Sequence, residues 1–98
     1  MSYRVEIRED ALLDLKYLRA YEQRLILDAI EEQLPWEPEK GTRNRKSLRP
    51  NDLAAWEMRI GNLRVFYDVR SETKEVIVKA VGWKEHGTLF IRGKEFVL

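Results

Sequence analysis

The sequence has no cysteine and a single histidine, His86, among its 98 residues. Without cysteine there is no disulfide, no thiolate metal site and no cysteine nucleophile, and one imidazole is too few for a histidine-based zinc site. No apolar run approaches the ~20 residues of a membrane span. Charged residues begin at Arg4, which is too early for a signal peptide. We therefore expect a cytoplasmic protein with no metal and no cofactor.

The charged residues are distributed unevenly along the chain. Residues 1–39 hold five Lys/Arg against ten Asp/Glu, whereas residues 40–70 hold eight against three. A polyanion responds to the electrostatic potential of the surface it approaches more than to the net charge of the whole protein, which is +1. The basic centre therefore predicts a protein that touches nucleic acid with one face, although scattered solvated charge explains the same counts. At this length and composition we expect one globular domain over residues 1–98.

Periodicity predicts a strand and two helices in the first third of the chain. Residues 3–8 alternate apolar with charged side chains, as in a half-buried strand. Asp10 is a plausible helix N-cap, and Asp14 follows in the first turns, where the helix dipole favours an anion. Two helical stripes are separated by a break near residues 19–22, and Pro35 ends the second helix. The first stripe contains Leu12, Leu13, Leu15, Tyr17 and Leu18, and the second contains Ile26, Leu27, Ile30 and Leu34.

The second half of the chain predicts a loop followed by three strands. Residues 37–52 contain proline, glycine and little periodicity, so we expect a loop. Runs with a period of two then cover residues 56–60, 63–70 and 75–81. Residues 87–98 can pair as an edge strand or stay loose. The order β–α–α–β–β–β predicts an α+β fold, in which an N-terminal strand joins a mainly antiparallel four-stranded sheet and a two-helix hairpin covers one face.

Gly61-Asn62 lies between two alternating runs, which is a strong signal for a two-residue hairpin turn. The turn fixes the register, so Arg59 lies opposite Arg64 and points away from the helices. Opposed like charges destabilise a sheet unless an anion lies between them. Glu57 on the same face can supply that charge internally, and a ligand phosphate can supply it from outside. The apolar set that should face the helices is Trp56, Met58, Ile60, Leu63, Val65 and Tyr67.

The run Trp56–Tyr67, WEMRIGNLRVFY, resembles the signature of the RelE/ParE toxin superfamily. That signature has an aromatic residue, a hydrophobic-Arg-hydrophobic-Gly segment, and then hydrophobic-Arg-hydrophobic-x-Tyr. Lys46-Ser47-Leu48 before it and Val76–Gly82 after it match in the same order, so the resemblance covers essentially the whole chain and is closest to the RelE-like branch. It implies a curved sheet with the topology of RelE and the microbial ribonucleases, and a protein antitoxin that wraps the toxin.

In the RelE-like branch the resemblance implies a ribosome-dependent mRNA endoribonuclease that inhibits translation, with the ribosome and mRNA as partners. The RNA 2′-hydroxyl attacks the adjacent phosphate, which requires a base, an acid and cations but no metal. Arg64 matches the phosphate-binding arginine after the turn. Arg59, Lys84 and His86 fall where this branch has basic residues, and with Arg64 they form the candidate catalytic set. For Lys84 and His86 a plain surface role is the alternative.

Seven further residues are candidates for RNA binding. The basic loop can grip ribosomal RNA backbone or be a disordered connector. Trp83 can stack on a base or anchor the core. Phe90 falls where many of these nucleases have tyrosine, and a phenyl ring can stack but cannot transfer a proton. The seven are Lys40, Arg43, Arg45, Lys46, Arg49, Trp83 and Phe90.

Three functions stay open at this point. The retained basic residues favour the nuclease, whereas Phe90 favours a ParE-like toxin that inhibits DNA gyrase without cleaving anything. A catalytically weakened toxin that acts mainly through antitoxin binding is the third. Trp36 and the apolar helix stripes we assign to the core or to antitoxin contact. Because Arg64 is predicted on the non-core face, its replacement by alanine should abolish toxicity and leave the fold largely intact.

Overall fold

The computed structural model describes residues 2–98 and contains two helices and seven strands within that range. In chain order these are β1 Arg4–Ile7, α1 Glu9–Leu15, α2 Ala20–Gln33, β2 Arg45–Ser47, β3 Trp56–Ile60, β4 Leu63–Arg70, β5 Glu75–Glu85, β6 Thr88–Ile91 and β7 Lys94–Phe96.

The seven strands form one sheet around the long strand β5. Antiparallel pairing runs in the order β2-β3-β4-β5-β6-β7, and β1 pairs in parallel with the first part of β5. β6 pairs with the last three residues of β5. Both helices pack on one face, α1 against β5 and α2 against β3 and β4. The predicted α+β architecture, with a helical pair on a mainly antiparallel sheet, is confirmed.

The sheet has three more strands than the four that were predicted. β2 lies inside the stretch 37–52 that we expected to be a loop. Residues 87–98 contain the antiparallel strands β6 and β7, so of the two alternatives for this segment it is the paired one that forms. β5 also continues to Glu85, beyond the predicted end at Val81. β2 and β7 have three residues each, which is too short for an alternating pattern to appear, and their pairing depends on partners elsewhere in the chain.

The first helix begins earlier than predicted. The backbone N–H of Arg8 donates to the carbonyl oxygen of Val78 at 3.0 Å, which keeps the chain extended up to Arg8. The helix therefore starts at Glu9, and Asp10 lies inside its first turn and is not its N-cap. A break does separate the two helices, but it lies at residues 16–19, earlier than the predicted 19–22, because the second helix begins at Ala20. The end of the second helix ahead of Pro35 agrees with the prediction.

The main core lies between the helices and the sheet, and it contains the apolar residues of the β3–β4 hairpin as predicted. On the helices, however, the buried positions differ from the expected stripes because each helix presents only a narrow side to the sheet. Leu12, Leu13, Tyr17 and Leu27 are exposed. The buried helical and flanking residues are Ala11, Leu15, Leu18, Ile26, Ala29, Ile30 and Leu34.

The opposite side of the sheet, which we call the non-helical face, has a smaller apolar cluster of its own. Phe66, Ala80 and Leu89 are buried there, and the 48–54 segment and Phe96 pack against them. The strands that carry this cluster also carry the predicted arginine pair. Within residues 2–98, no helix is both long and apolar enough to cross a membrane.

Candidate nucleic-acid interface

The β3–β4 hairpin has the register that the sequence predicts. Gly61, with φ of 60°, occupies the first central position of the two-residue turn, where a type II′ turn favours glycine. Arg59 pairs with Arg64. Their neighbours Met58 and Val65 are fully buried in the main core, so both arginine side chains leave the sheet on the non-helical face.

A buried carboxylate lies beside the two arginines. Glu57 is 1% exposed. Its Oε2 is 3.3 Å from Nε of Arg59 and 3.9 Å from Nζ of Lys46, and its Oε1 is 4.0 Å from Nε of Arg64. The sequence allowed either Glu57 or a ligand phosphate to lie between the arginines, and in the structure Glu57 lies there. We call Lys46, Glu57, Arg59 and Arg64 the cationic cluster, since three positive charges surround one negative charge.

Arg64 leaves the sheet on the non-helical face as predicted, but its side chain is buried there. The residue is 8% exposed, and its Nη1 donates to the carbonyl oxygens of Gly61 at 2.9 Å and Leu63 at 3.0 Å. Burial lowers the pKa of Arg64, the charge of Glu57 opposes that shift, and the charge of Arg59 adds to it. Its guanidinium therefore fastens the turn, while the side chains of Arg59 and Lys46 are half-exposed and accessible from solvent.

Lys84 lies on the same face as the cationic cluster. Gly82 pairs with Arg64, and Lys84 follows two residues later in the strand, so its side chain points to the same side. It lines a cavity of about 330 Å³ together with Phe96 and Leu98. A Cβ at Gly82 would lie 2.2 Å from the carbonyl oxygen of Phe90, so only glycine allows β6 to pass this close to β5.

His86 lies at the tip of the β5–β6 hairpin. His86 and Gly87 have φ of 50° and 81°, which matches a type I′ turn with positive φ at both central residues. The histidine is exposed and follows Lys84 by two residues. It therefore lies at the end of the hairpin, and it does not belong to the cationic cluster.

The two aromatic candidates for RNA stacking lie on the opposite, helix-bearing face. Trp83 packs against the main core, and its ring stacks on that of Phe90 with centroids 5.8 Å apart. The indole N–H of Trp83 donates to Glu85 Oε1 at 3.0 Å. The structure therefore does not bring Trp83 and Phe90 together with the arginines, because the two rings stack on each other on the helix-bearing face.

The basic loop divides into residues with different roles. Arg45 is buried on the helix-bearing side, and its Nη1 donates to the carbonyl oxygens of Trp36 and Glu37, both at 3.3 Å. Lys46, the next residue, points to the other side and joins the cationic cluster. Lys40 is exposed and lies 3.7 Å from Glu37. The remaining two, Arg43 and Arg49, are exposed at the surface.

A second cavity connects the loop to the site. It is lined by Lys46, Arg49 and Leu98, among others, and Leu98 also lines the cavity beside Lys84. The non-helical face thus has cations on both sides of one apolar residue. Such a surface can bind the phosphates of an extended polyanion. No group of three or more potential metal-ligating side chains occurs among residues 2–98.

Two members of the cationic cluster, Lys46 and Glu57, were only partly predictable from the sequence. Lys46 was assigned to a loop because the three polar residues of β2 show no alternation. Glu57 was recognised as a possible partner, and its position opposite Phe66 was the signal that it would be buried. The hydrogen bond from Arg92 to Asp14, which ties the β6–β7 turn to α1, had no local signal.

A scan against protein families matches residues 5–85 to the ParE toxin of the type II toxin–antitoxin system. No curated protein matches the sequence. Among solved structures, a chain of the RelBE2 toxin–antitoxin complex from Mycobacterium tuberculosis is similar, with a TM-score of 0.74 and 24% identity over 86% of this chain and 100% of that chain.

Two further structures share the fold. A chain of the archaeal RelE–RelB complex from Pyrococcus horikoshii OT3 has a TM-score of 0.69 and 23% identity, covering 88% of this chain and 99% of that chain. The isolated RelE toxin of E. coli has a TM-score of 0.66 and 22% identity, with 87% of each chain covered. The family match spans most of the chain and includes the β3–β4 hairpin and the cationic cluster. This protein therefore belongs to the ParE toxin family and is the toxin of a type II toxin–antitoxin system, with the fold of the RelE toxins.

Proposed function

We propose that this toxin is a cytoplasmic, metal-independent endoribonuclease that cleaves mRNA on the ribosome and so inhibits translation. One observation carries the proposal: Arg59 and Lys46 extend from neighbouring strands over a shared buried carboxylate, with Arg64 beneath them and Lys84 on the same face. A cluster with surplus positive charge and two half-exposed cations suits a phosphodiester.

The proposed chemistry is an internal transesterification. The 2′-oxygen attacks the adjacent phosphorus and loses its proton, the bond from phosphorus to the 5′-oxygen breaks, and a proton reaches the departing oxygen. The products are a 2′,3′-cyclic phosphate and a 5′-hydroxyl. Arg59 and Lys46 bind the phosphate and stabilise the charge that grows on it. His86, at the tip of the neighbouring hairpin, is the candidate for proton transfer, with Lys84 between it and the cluster.

We propose a protein antitoxin as the partner that silences the toxin. The M. tuberculosis and P. horikoshii structures are toxin–antitoxin complexes. In this chain, large apolar side chains are exposed along both helices, which is the kind of surface that a partner covers. They are Leu12, Leu13, Tyr17, Tyr21, Leu25 and Leu27.

A second candidate is a toxin that binds and inhibits DNA gyrase and cleaves nothing. The family match to ParE toxins favours it, as does Phe90, whose ring has no hydroxyl and stacks on Trp83 away from the cluster. Phe90 equally favours a toxin of weakened activity that acts mainly through its antitoxin, since the ring cannot transfer a proton.

One pair of assays separates these functions. The wild-type toxin is added to a translating extract, and the 5′ ends of the message are mapped by primer extension; the same preparation is added to a gyrase supercoiling reaction. The proposal predicts new ends in ribosome-engaged mRNA and normal supercoiling. Intact message with blocked supercoiling would establish the gyrase inhibitor, and no effect in either assay would leave the weakened toxin.

A further inference from the structure

Glu57 is a carboxylate in a buried position, where a charged group is energetically unfavourable. It lies in the middle of β3, is 1% exposed, and faces cations from β2, β3 and β4. Removing an ion from water costs several kcal/mol, which attraction to partners offsets only in part. A sheet that needed only a stable interior would have an apolar residue here. The carboxylate therefore calls for an explanation beyond stability.

The contacts of Glu57 direct the outer cations. Arg59 meets the carboxylate through Nε, and within residues 2–98 its two terminal amino groups have no hydrogen-bond acceptor. Lys46 approaches the same oxygen, Oε2, from the neighbouring strand. One buried oxygen thus accepts a hydrogen bond from Arg59 and attracts Lys46 across 3.9 Å, while 43% of the Arg59 side chain and 54% of the Lys46 side chain stay exposed.

We propose that Glu57 is a positioning residue: its buried carboxylate holds Arg59 and Lys46 as a preformed two-pronged site for one phosphodiester of a single-stranded RNA. This inference rests on the proposed nuclease function. Glu57 itself does not touch the substrate, since it lies below the two cations.

The charge balance of the cluster suits the reaction. Three cations against one carboxylate leave a surplus of two positive charges. A phosphodiester carries one negative charge, and the pentacovalent phosphorane formed by attack of the 2′-oxygen carries two. A surplus that matches the second state stabilises it more than the first, which is the condition for catalysis.

Salt dependence of binding tests the positioning without requiring any cleavage. The probe is a single-stranded RNA oligonucleotide with every 2′-hydroxyl methylated, and its affinity is measured from about 50 to 200 mM salt for the wild type and Glu57→Gln. Each phosphate contact contributes about 0.7 to the slope of log affinity against log salt. We expect the slope of Glu57→Gln to be smaller in magnitude by about 0.7 to 1.4 as one or both cations lose their place.

The opposite result has a clear physical meaning. If Glu57 only neutralises charge, its removal raises the affinity and leaves the slope unchanged or steeper, and that outcome would overturn the proposal. A wild type that does not bind the oligonucleotide would overturn the phosphodiester assignment. Glu75→Gln is the matched control, because Glu75 contacts Arg4 and Arg70 at the far end of β5, and its slope should equal that of the wild type.

The second experiment measures the cleavage of mRNA on ribosomes. We expect kcat/KM to fall at least tenfold in Glu57→Gln, and we expect a smaller fall in an Arg59→Ala background, where only Lys46 still depends on Glu57. An equal loss in both backgrounds would exclude action through Arg59. Should Glu57→Gln not fold, Glu57→Asp keeps the charge and withdraws it by one methylene, and only positioning predicts a smaller slope. If the wild type cuts nothing, the nuclease proposal fails while the slopes still decide the role of Glu57.

Discussion

Asp14 links the first helix to the strand that carries Gly82 and Lys84. Its carboxylate is 3% exposed, accepts the backbone N–H of Val81 at 3.1 Å, and accepts a hydrogen bond from Nε of Arg92. Asp14→Ala leaves the Val81 N–H buried without an acceptor, which costs about 1–3 kcal/mol. The ion pair with Arg92 adds about 1 kcal/mol, because the arginine is partly exposed and screened by solvent. We expect a total loss of about 2–4 kcal/mol.

Urea unfolding at neutral pH measures this loss. In thermal unfolding, a loss of about 2–4 kcal/mol in the free energy of unfolding lowers the melting temperature of a domain of this size by roughly 10–25 °C. Asp14→Asn should lose less, since the amide oxygen still accepts from Val81. Asp10→Ala is the matched control: its side chain is 82% exposed although it also contacts Arg92, so we expect about 0–1 kcal/mol. Equal losses for Asp14→Ala and Asp10→Ala would refute this account of how β5 is held.

Two further predictions concern the fold around the site. Gly82→Ala should destabilise the protein by about 1–3 kcal/mol in urea unfolding, because the new Cβ meets the backbone of β6 and forces it away from β5; wild-type stability would contradict the close approach. Burial raises the pKa of Tyr67 to about 12. The neutral phenol is therefore favoured in the folded state, so its contribution is complete below pH ~10 and is lost as pH rises towards 12. We expect the difference in stability between wild type and Tyr67→Phe to change by about 2–3 kcal/mol across that window, and a constant difference would show that burial does not shift the phenol.

The β3–β4 hairpin was predictable because its signals are local. A Gly-Asn pair at a fixed place between two alternating runs determines the turn, the register and the face of each side chain. The same information placed Arg59 opposite Arg64 and identified the family. It could not reveal the burial of Arg64, which depends on the turn carbonyls folding back onto the guanidinium.

The elements that the sequence did not predict depend on contacts between distant residues. β2 forms because β3 offers an edge to three polar residues. β6 approaches the backbone of β5 at Gly82 too closely for any side chain, and Arg92 fixes the turn after β6 to the first helix. The same approach leaves Phe90 stacked on Trp83 on the helix-bearing side, a position that periodicity alone does not give.

The rate of mRNA cleavage on ribosomes tests most directly whether the cationic cluster is the working site. The comparison uses the wild type, Arg59→Ala and the matched control Arg24→Ala, which removes an exposed arginine from α2. Loss of a group that stabilises the developing charge lowers kcat by about 100-fold or more, so Arg59→Ala should show that drop while Arg24→Ala stays within about twofold of the wild type. Cleavage by Arg59→Ala at the rate of Arg24→Ala would contradict the account.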